Sequence, residues 1–448
     1  MRGVKKESVI YLRYAILFIL VIVSFLPFSN VISWGSDYAG YILQAKAIQS
    51  FSTQEFIDTQ SFLINLSENP KYPVYTPIGM PLLISISSFL TNFDLYSVRI
   101  FIPISVFFIS LIIYKKNKKY SFFYSLIFIL HPTIIGQYKD AVLTESTATL
   151  FFLLGLFSRH DKFRLIFYIL SILIRPTFLI FVICDIIFEK KNLLKNLLSI
   201  ILSLLVINFL TKNIFNMNFY GFYETRQSDS ETFGIFALLI NNIETILNFE
   251  KILFFFNEFA RLFIGFTTSI NLVVGIFIIC FLIFIRNKYS FMIIAFSMFH
   301  LIWDSPSLVR YFIPVFAISF FAFDEFLQNK KFKNYIIFKI FFVFIIILNF
   351  LQLNNSIDVL ENQTGPHQLE SKEMLDFVNK NKNKNENIFS FHSPRTLRLL
   401  TNKKSYWLDG DIYKDTVIIC YLKESDCKVN ENYKVIFKNN LYVISDNE

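Results

Sequence analysis

Acids and cations in this chain gather where its apolar runs stop. Asp37 lies in "WGSDYAGYILQAKAIQSF", directly after the first such run. Asp140 and Glu145 lie in "GQYKDAVLTESTATLFFLL", with Lys139 beside them. Lys71 and Tyr75 fall in "NPKYPVYTPIGMPLL", Arg175 in "LIRPTF", and Asp304 and Arg310 in "WDSPSLVRYFIPVF". A carboxylate so placed can take the proton of an attacking hydroxyl. Arg and Lys can hold a phosphate as charge builds on it. At the edge of a bilayer, that set fits a lipid-phosphate substrate, with Lys71, Tyr75, Lys139, Arg175 and Arg310 as binding candidates. Asp37, Glu145 and Asp140 are then the catalytic candidates. A bland reading competes for Glu145: Thr144 caps the following helix, and Glu145 sits in its first turn, where the helix dipole favours a negative charge.

Other chemistries find less support. The five histidines, at 131, 160, 300, 367 and 392, are scattered without a paired ligand motif. A divalent ion, if one is used, would fall to Glu145 or Asp140. His131 and His300 lie in or beside apolar runs and read as packing residues. The chain has no glycine-rich loop of the kind that cradles a nucleotide's phosphates. Glu258 and Arg261 are three apart in "FFFNEFARLF" and read as an ion pair on one helix face. Of four cysteines, Cys184 and Cys280 read as buried in apolar runs, while Cys420 and Cys427 fall where an oxidising compartment would allow a bridge.

The elements that must position these residues are membrane spans. The chain has 448 residues, 54% hydrophobic and 17% charged, against about a quarter charged in a soluble domain. Its formal charge of +9 arises from short basic bursts between apolar runs, a pattern that reports topology rather than nucleic-acid binding. Spans are expected at 11–28, 98–114, 120–136, 144–157, 197–211, 266–285, 290–303, 311–327 and 335–351. A short pair at 165–174 and 177–188 is split by Arg175-Pro176. Each half is too short to cross about 30 Å of hydrocarbon at about 1.5 Å per residue. With the N-terminus in the cytoplasm, "MRGVKK", "KKNKK", "SRHDKFR", "EKKNLLK", "RNK" and "NKKFKN" all fall inside. That places 29–97, 137–143, 212–265, 304–310 and everything after 352 outside. Segments 38–51 and 80–90 read as interfacial helices forming a floor along the outer surface, with Asp37 at its edge.

The tail changes character. "SKEMLDFVNK" reads as a helix; "NIFSFHS", "DTVIICYL" and "YKVIFKNNLYVIS" read as strands, the last a hairpin turning at Asn439-Asn440. The expected fold is therefore an all-α polytopic membrane protein of about 11 transmembrane helices, the short pair included, with interfacial helices in the first external loop. Residues 1–351 form that domain, and 352–448 a small external α+β domain.

Four stretches in this order resemble the GT-C class of integral-membrane glycosyltransferases, in the branch of protein O-mannosyltransferases and the lipid A aminoarabinose transferase. They are "SDYAGYILQA", "YPVYTPIGMPLL", "LTESTATLFFLLGLF" and "LIRPTFLIF". "VRYFIPVFAIS" and "FSFHSPRTLRLLTNKKSYW" resemble that branch's late span and external C-terminal domain. The resemblance implies a polyprenyl-phosphate sugar donor and a glycan, lipid or protein acceptor on the external face. It implies Asp37 as the catalytic acid of the first loop, Glu145 as the second acidic position and Arg310 as the late arginine. Tyr38 stands where some branches carry another acid, and Glu145 where many carry Asp, which keeps Asp140 in contention. The implied reaction is a single inverting displacement in a bacterial inner membrane. Alternatives are a glycan polymerase or ligase, a flippase or transporter of lipid-linked sugars, and a membrane protein with an external sensing domain. A transporter would show acids near the bilayer midplane and repeat symmetry, and the sequence shows neither.

Overall fold

The structure is a computed structural model. It describes residues 2–29, 32, 36–51, 77–118, 120–140, 143–189, 193–215, 249–264, 271–302, 309–328, 366–380, 388–390, 394–401, 405–406, 416–421 and 434–446. The expected span 335–351 and Asp304 lie outside these.

In chain order the helices are α1 Arg2–Phe25, α2 Ser36–Ser50, α3 Gly79–Ile86, α4 Ser88–Thr91, α5 Phe101–Lys116, α6 Ser121–Leu130, α7 Pro132–Asp140 and α8 Leu143–Leu156. They continue with α9 Asp161–Ile174, α10 Leu179–Glu189, α11 Leu193–Phe215, α12 Phe249–Ile264, α13 Asn271–Ile285, α14 Lys288–Ile302 and α15 Ile313–Gln328. The tail adds α16 Pro366–Lys380 and α17 Pro394–Thr401, with strands β1 Ile388–Ser390, β2 Ser405–Tyr406, β3 Thr416–Tyr421, β4 Lys434–Lys438 and β5 Tyr442–Asp446. Two compact units result: one holds α1, α5 to α10 and α12 to α15, the other α2 to α4, α16, α17 and the sheet.

Among the described residues, Glu7–Phe28, Ser97–Lys116 and Leu193–Leu210 on α11 are long and apolar enough to cross a bilayer. Ser121–Leu130, Thr144–Leu156 and Leu272–Ile285 are apolar but shorter. The run expected as one span at 120–136 is two helices, broken at His131 with φ −65° and ψ 133°. Pro132 is the cause, because a residue before proline is pushed out of the helical region. Arg175 repeats the device before Pro176, with φ −147° and ψ 104°. There the chain turns through Pro176–Phe178 and returns as α10, making the short pair a hairpin. Its base is closed by Arg164 of α9, which ion-pairs with Asp185 and Glu189 of α10. Helices α8 and α9 approach closely at Gly155, where an added Cβ would lie 2.4 Å from the Tyr168 ring. Cys184 is buried on α10, but Cys280 is exposed, contrary to expectation. It shares α13 with exposed Val273, Phe277 and Phe284, a face apolar enough for lipid.

In the second unit, the sheet order is β2-β1-β3-β5-β4. Strand β1 pairs parallel with β2 and β3, while β5 pairs antiparallel with β3 and β4. The β4–β5 hairpin turns where the sequence placed it. Asn439 Oδ1 accepts from the Leu441 and Tyr442 amides at 3.0 and 2.8 Å, which is why an asparagine stands there. Met374, Leu375 and Val378 of α16, Leu397 of α17 and Val417, Ile419 and Ile444 of the sheet form the core. Ile32 joins that core and Tyr96 packs against it, so residues flanking α2 and α4 share it with the tail.

Helix α2 differs from a one-faced surface helix. Residues 38–45 are buried all round, Gln44 included. Small residues at Ala39, Gly40 and Ala45 let neighbours close on every side. The apolar surface expected of an interfacial floor appears further on, at Phe51, Ile86, Phe89 and Leu90, all at least 72% exposed. Gln49 Nε2 donates to Ser88 Oγ at 3.0 Å, tying the end of α2 to α4. Cys420 is disulfide-bonded on β3, and Cys427 lies outside the described residues.

Candidate active site

In the first unit the structure gathers an acid, a cation and an aromatic ring at the tip of the α9–α10 hairpin. Pro176 holds Arg175 extended, so its side chain leaves the helix at the break. Its Nη1 lies 2.9 Å from Glu145 Oε1 and 3.4 Å from Thr144 Oγ1, in the first turn of α8. Its guanidinium carbon lies 4.5 Å from the Tyr311 ring centroid. Glu145 is 2% exposed and Arg175 19%. A carboxylate so deeply buried needs a partner, and Arg175 is that partner, while the arginine keeps an accessible edge.

Thr144 does not cap α8. The helix starts at Leu143, and the threonine hydroxyl donates to Glu145 Oε2 at 2.7 Å. Both carboxylate oxygens of Glu145 are thus already in contact, one with a cation. That arrangement suits holding Arg175 better than holding a divalent metal. Among the described residues no group of three or more His, Cys, Asp or Glu is disposed to bind a metal ion.

Tyr311 belongs to the 3-10 turn Val309–Phe312, which also carries Arg310. The Arg310 side chain lies outside the described set, but its backbone stands next to the ring that covers Arg175. Helix α7, whose last residues are Lys139 and Asp140, packs against the same turn. The side chains of Lys139 and Asp140 lie outside the described residues, as do Lys71 and Tyr75 entirely. His300, near the end of α14, stacks on Tyr311 at 5.7 Å and 13°, among Phe296, Phe299 and Phe312. His131 packs on Phe316 at 4.3 Å, and its Nδ1 accepts from the Thr133 amide at 3.1 Å. Glu258 lies on α12, with its side chain outside the described residues.

The sequence singled out Glu145 and Arg175, which the structure brings together, but not the Tyr311 ring beside them. Its signal was present: an aromatic directly after an arginine at the start of an apolar run is a ready platform for a cation.

Asp37 belongs to the other unit, in the first turn of α2. Its side chain lies outside the described residues, but its neighbours are placed. Tyr38 is 2% exposed, and Arg99 is fully buried with its guanidinium carbon 5.5 Å from the Tyr38 ring centroid. Burial raises the Tyr38 hydroxyl well above its ordinary range, while Arg99 pulls the other way. Tyr38 therefore stays a neutral phenol. Sequence reasoning also missed Arg99, although a cation opening the apolar run 98–114 is costly enough to be a signal.

A mostly helical first unit with proline-broken helices and a tail with a small sheet form an architecture that a solved structure shares. No protein-family model and no curated protein sequence matches the chain. Among solved structures it is similar to ArnT from Cupriavidus metallidurans in the apo state, a lipid A aminoarabinose transferase. The TM-score is 0.52 at 12% identity, covering 99% of this chain and 98% of the other. At that identity the likeness is one of fold, and it spans both units.

Proposed function

We propose that this protein is a membrane glycosyltransferase that moves a sugar from a polyprenyl-phosphate donor to a glycan, lipid or protein of the cell envelope. The observation that carries the reading is Arg175, held at a proline-imposed helix break by Glu145 and Tyr311, in a chain with the ArnT fold. A guanidinium with an accessible edge can take a phosphate oxygen bidentately. Glu145 and the ring keep it oriented until the phosphate arrives.

In this reading Asp37 is the general base. It accepts the acceptor's hydroxyl proton as that oxygen attacks the anomeric carbon, and the bond from that carbon to the phosphate oxygen breaks. Polyprenyl phosphate leaves as an anion, so protonating it is not essential. Arg175, with Arg310 and Lys71, neutralises the charge that accumulates there, the kind of contact that strengthens in the transition state. The displacement is single and inverts the anomeric centre. Asp140 and Lys139 are reserved for orienting the acceptor. The reaction face is extracytoplasmic, the N-terminus lies inside, and about eleven spans hold the chain in a bacterial inner membrane.

Purified protein in liposomes with radiolabelled polyprenyl-phosphate sugar and an envelope extract tests the reading. Label moving from donor to extract is the expected result. Label crossing the bilayer while still on its donor would make the protein a flippase, and extension of a lipid-linked glycan would make it a polymerase. Neither transfer nor movement would leave the proposal without support.

A further inference from the structure

Two arginines grip the helix that carries Asp37. Arg99 does so from the 3-10 turn Ser97–Ile100: its Nη1 donates to the Phe28 carbonyl at 2.6 Å, and its guanidinium faces Tyr38. Its Nε and Nη2 find no hydrogen-bond partner among the described residues. Arg395, the second residue of α17, comes from the tail and is 5% exposed. It crosses α2 at Gly40, where an added Cβ would lie 2.9 Å from its Nη1 and 3.3 Å from its Cδ. A glycine is therefore what lets the arginine lie there. Positions 37 and 40 share one helix face, about 5–6 Å apart.

We propose that Arg395 is a positioning residue through which the C-terminal domain clamps α2 at Gly40 and sets a fixed positive charge on the helix face where Asp37 stands. The inference rests on Asp37 as the general base. It gives the tail a part in the reaction rather than a role only in covering the site or selecting acceptors. The shared core points the same way, since Ile32, just before α2, lies in the tail's core and Tyr96, just before the turn that carries Arg99, packs against it.

The other titratable or charged groups around this turn are few among the described residues. Asp94 is engaged by the Tyr96 and Ser97 amides and the Ser97 hydroxyl at 2.8–3.1 Å. Tyr38 and Tyr96 are phenols raised by burial, and Tyr41, one turn on from Asp37 along α2, is a further buried phenol. Helix α3 brings no titratable side chain. Lys46 is nine residues on from Asp37 along α2, and Arg398 is one turn on from Arg395 along α17. Arg395 is thus, among the described residues, the tail cation shown against this face of α2, and a neighbouring cation lowers a carboxylate's pKa. Its loss must move the acid limb of kcat/KM, which reports the free enzyme's base, to higher pH.

The full chain in nanodiscs tests this with R395A, R395K, G40A and the double variant G40A/R395A. Expected is an upward shift of the acid limb by about 0.5–1 pH unit in R395A, with faster hydrogen exchange at α2 amides. R395K keeps the wild-type limb because it keeps the charge. G40A displaces the arginine, reproduces R395A more weakly and adds nothing in the R395A background. An unshifted limb in R395A overturns the proposal, whatever the loss in rate, because a merely structural arginine would lower activity at every pH alike. If R395A fails to fold, G40A takes its place, and an unshifted limb there overturns the proposal equally. If the wild-type chain transfers no sugar, the proposed function falls instead. Exchange then decides the clamp: α2 amides as protected in R395A as in the wild type overturn it.

Discussion

The α9–α10 hairpin carries an arginine–carboxylate pair at each end, and the two differ in everything except chemistry. At the base, Arg164 lies within a helix and meets Asp185 and Glu189, while Lys288 of α14 approaches Asp185 at 3.5 Å and the Tyr168 hydroxyl donates to it at 2.5 Å. Asp185 is wholly buried. At the tip, Arg175 lies outside any helix, pairs with the Glu145 carboxylate and leans on an aromatic ring. The base binds three helices together with charges that satisfy one another. The tip shows a cation, held in place but not enclosed, at a point where proline has freed the backbone. Buried ion pairs alone are poor pointers to function. What separates these two is the break in the helix, since the two arginines are similarly exposed, at 13% and 19%.

Mutations should separate them too. The largest effect belongs to the tip: Arg175→Ala should lower kcat/KM by about 10²–10³-fold, the scale of losing one preorganised donor to a developing charge. The protein should still elute as a folded particle from size-exclusion in detergent. At the base the readout inverts. Asp185→Ala leaves Arg164 and Lys288 without their shared partner, and breaking a buried pair costs about 3–5 kcal/mol. A clear fall in apparent Tm is expected, with kcat/KM of the surviving protein near wild type.

Glu145→Gln falls between. The amide keeps the shape but not the charge, so Arg175 is held less firmly, and a loss of roughly tenfold, about 1.4 kcal/mol, should appear mainly in KM. A loss in kcat alone, with KM unchanged, would instead make Glu145 a catalytic acid. Pro176→Ala is smaller again. It lets Arg175 relax toward helix, and a modest rise in KM for the donor should follow with little change in Tm.

These contrasts also show what the sequence made legible. Arg175-Pro176 between two short apolar runs was readable because both signals are local: length against bilayer thickness, and proline against helix. The same reasoning applied to His131-Pro132 should have split the run 120–136, but the apolar composition masked the break. The hairpin at Asn439 was readable because asparagine satisfies that turn with its own side chain. Arg99, Arg395 and Tyr311 gave weaker signals, because their partners lie far away in sequence: Phe28 for Arg99, Gly40 for Arg395, Arg175 for Tyr311. Helix α2 misled for a related reason. Its small residues looked neutral in an amphipathic pattern, yet they mark where other elements press in. Asp37 and Glu145 could be singled out by type and level, but Glu145's tie to Arg175 required the fold.

A single-turnover measurement tests the central claim most directly. Excess protein is mixed with labelled polyprenyl-phosphate sugar and acceptor extract, and bound donor and transferred label are followed together for the wild type and Asp37→Asn. The account predicts that both bind the donor equally and that only the wild type releases polyprenyl phosphate and labels the acceptor. Transfer by Asp37→Asn at the wild-type rate, or a wild type that binds the donor and never cleaves it, would contradict it.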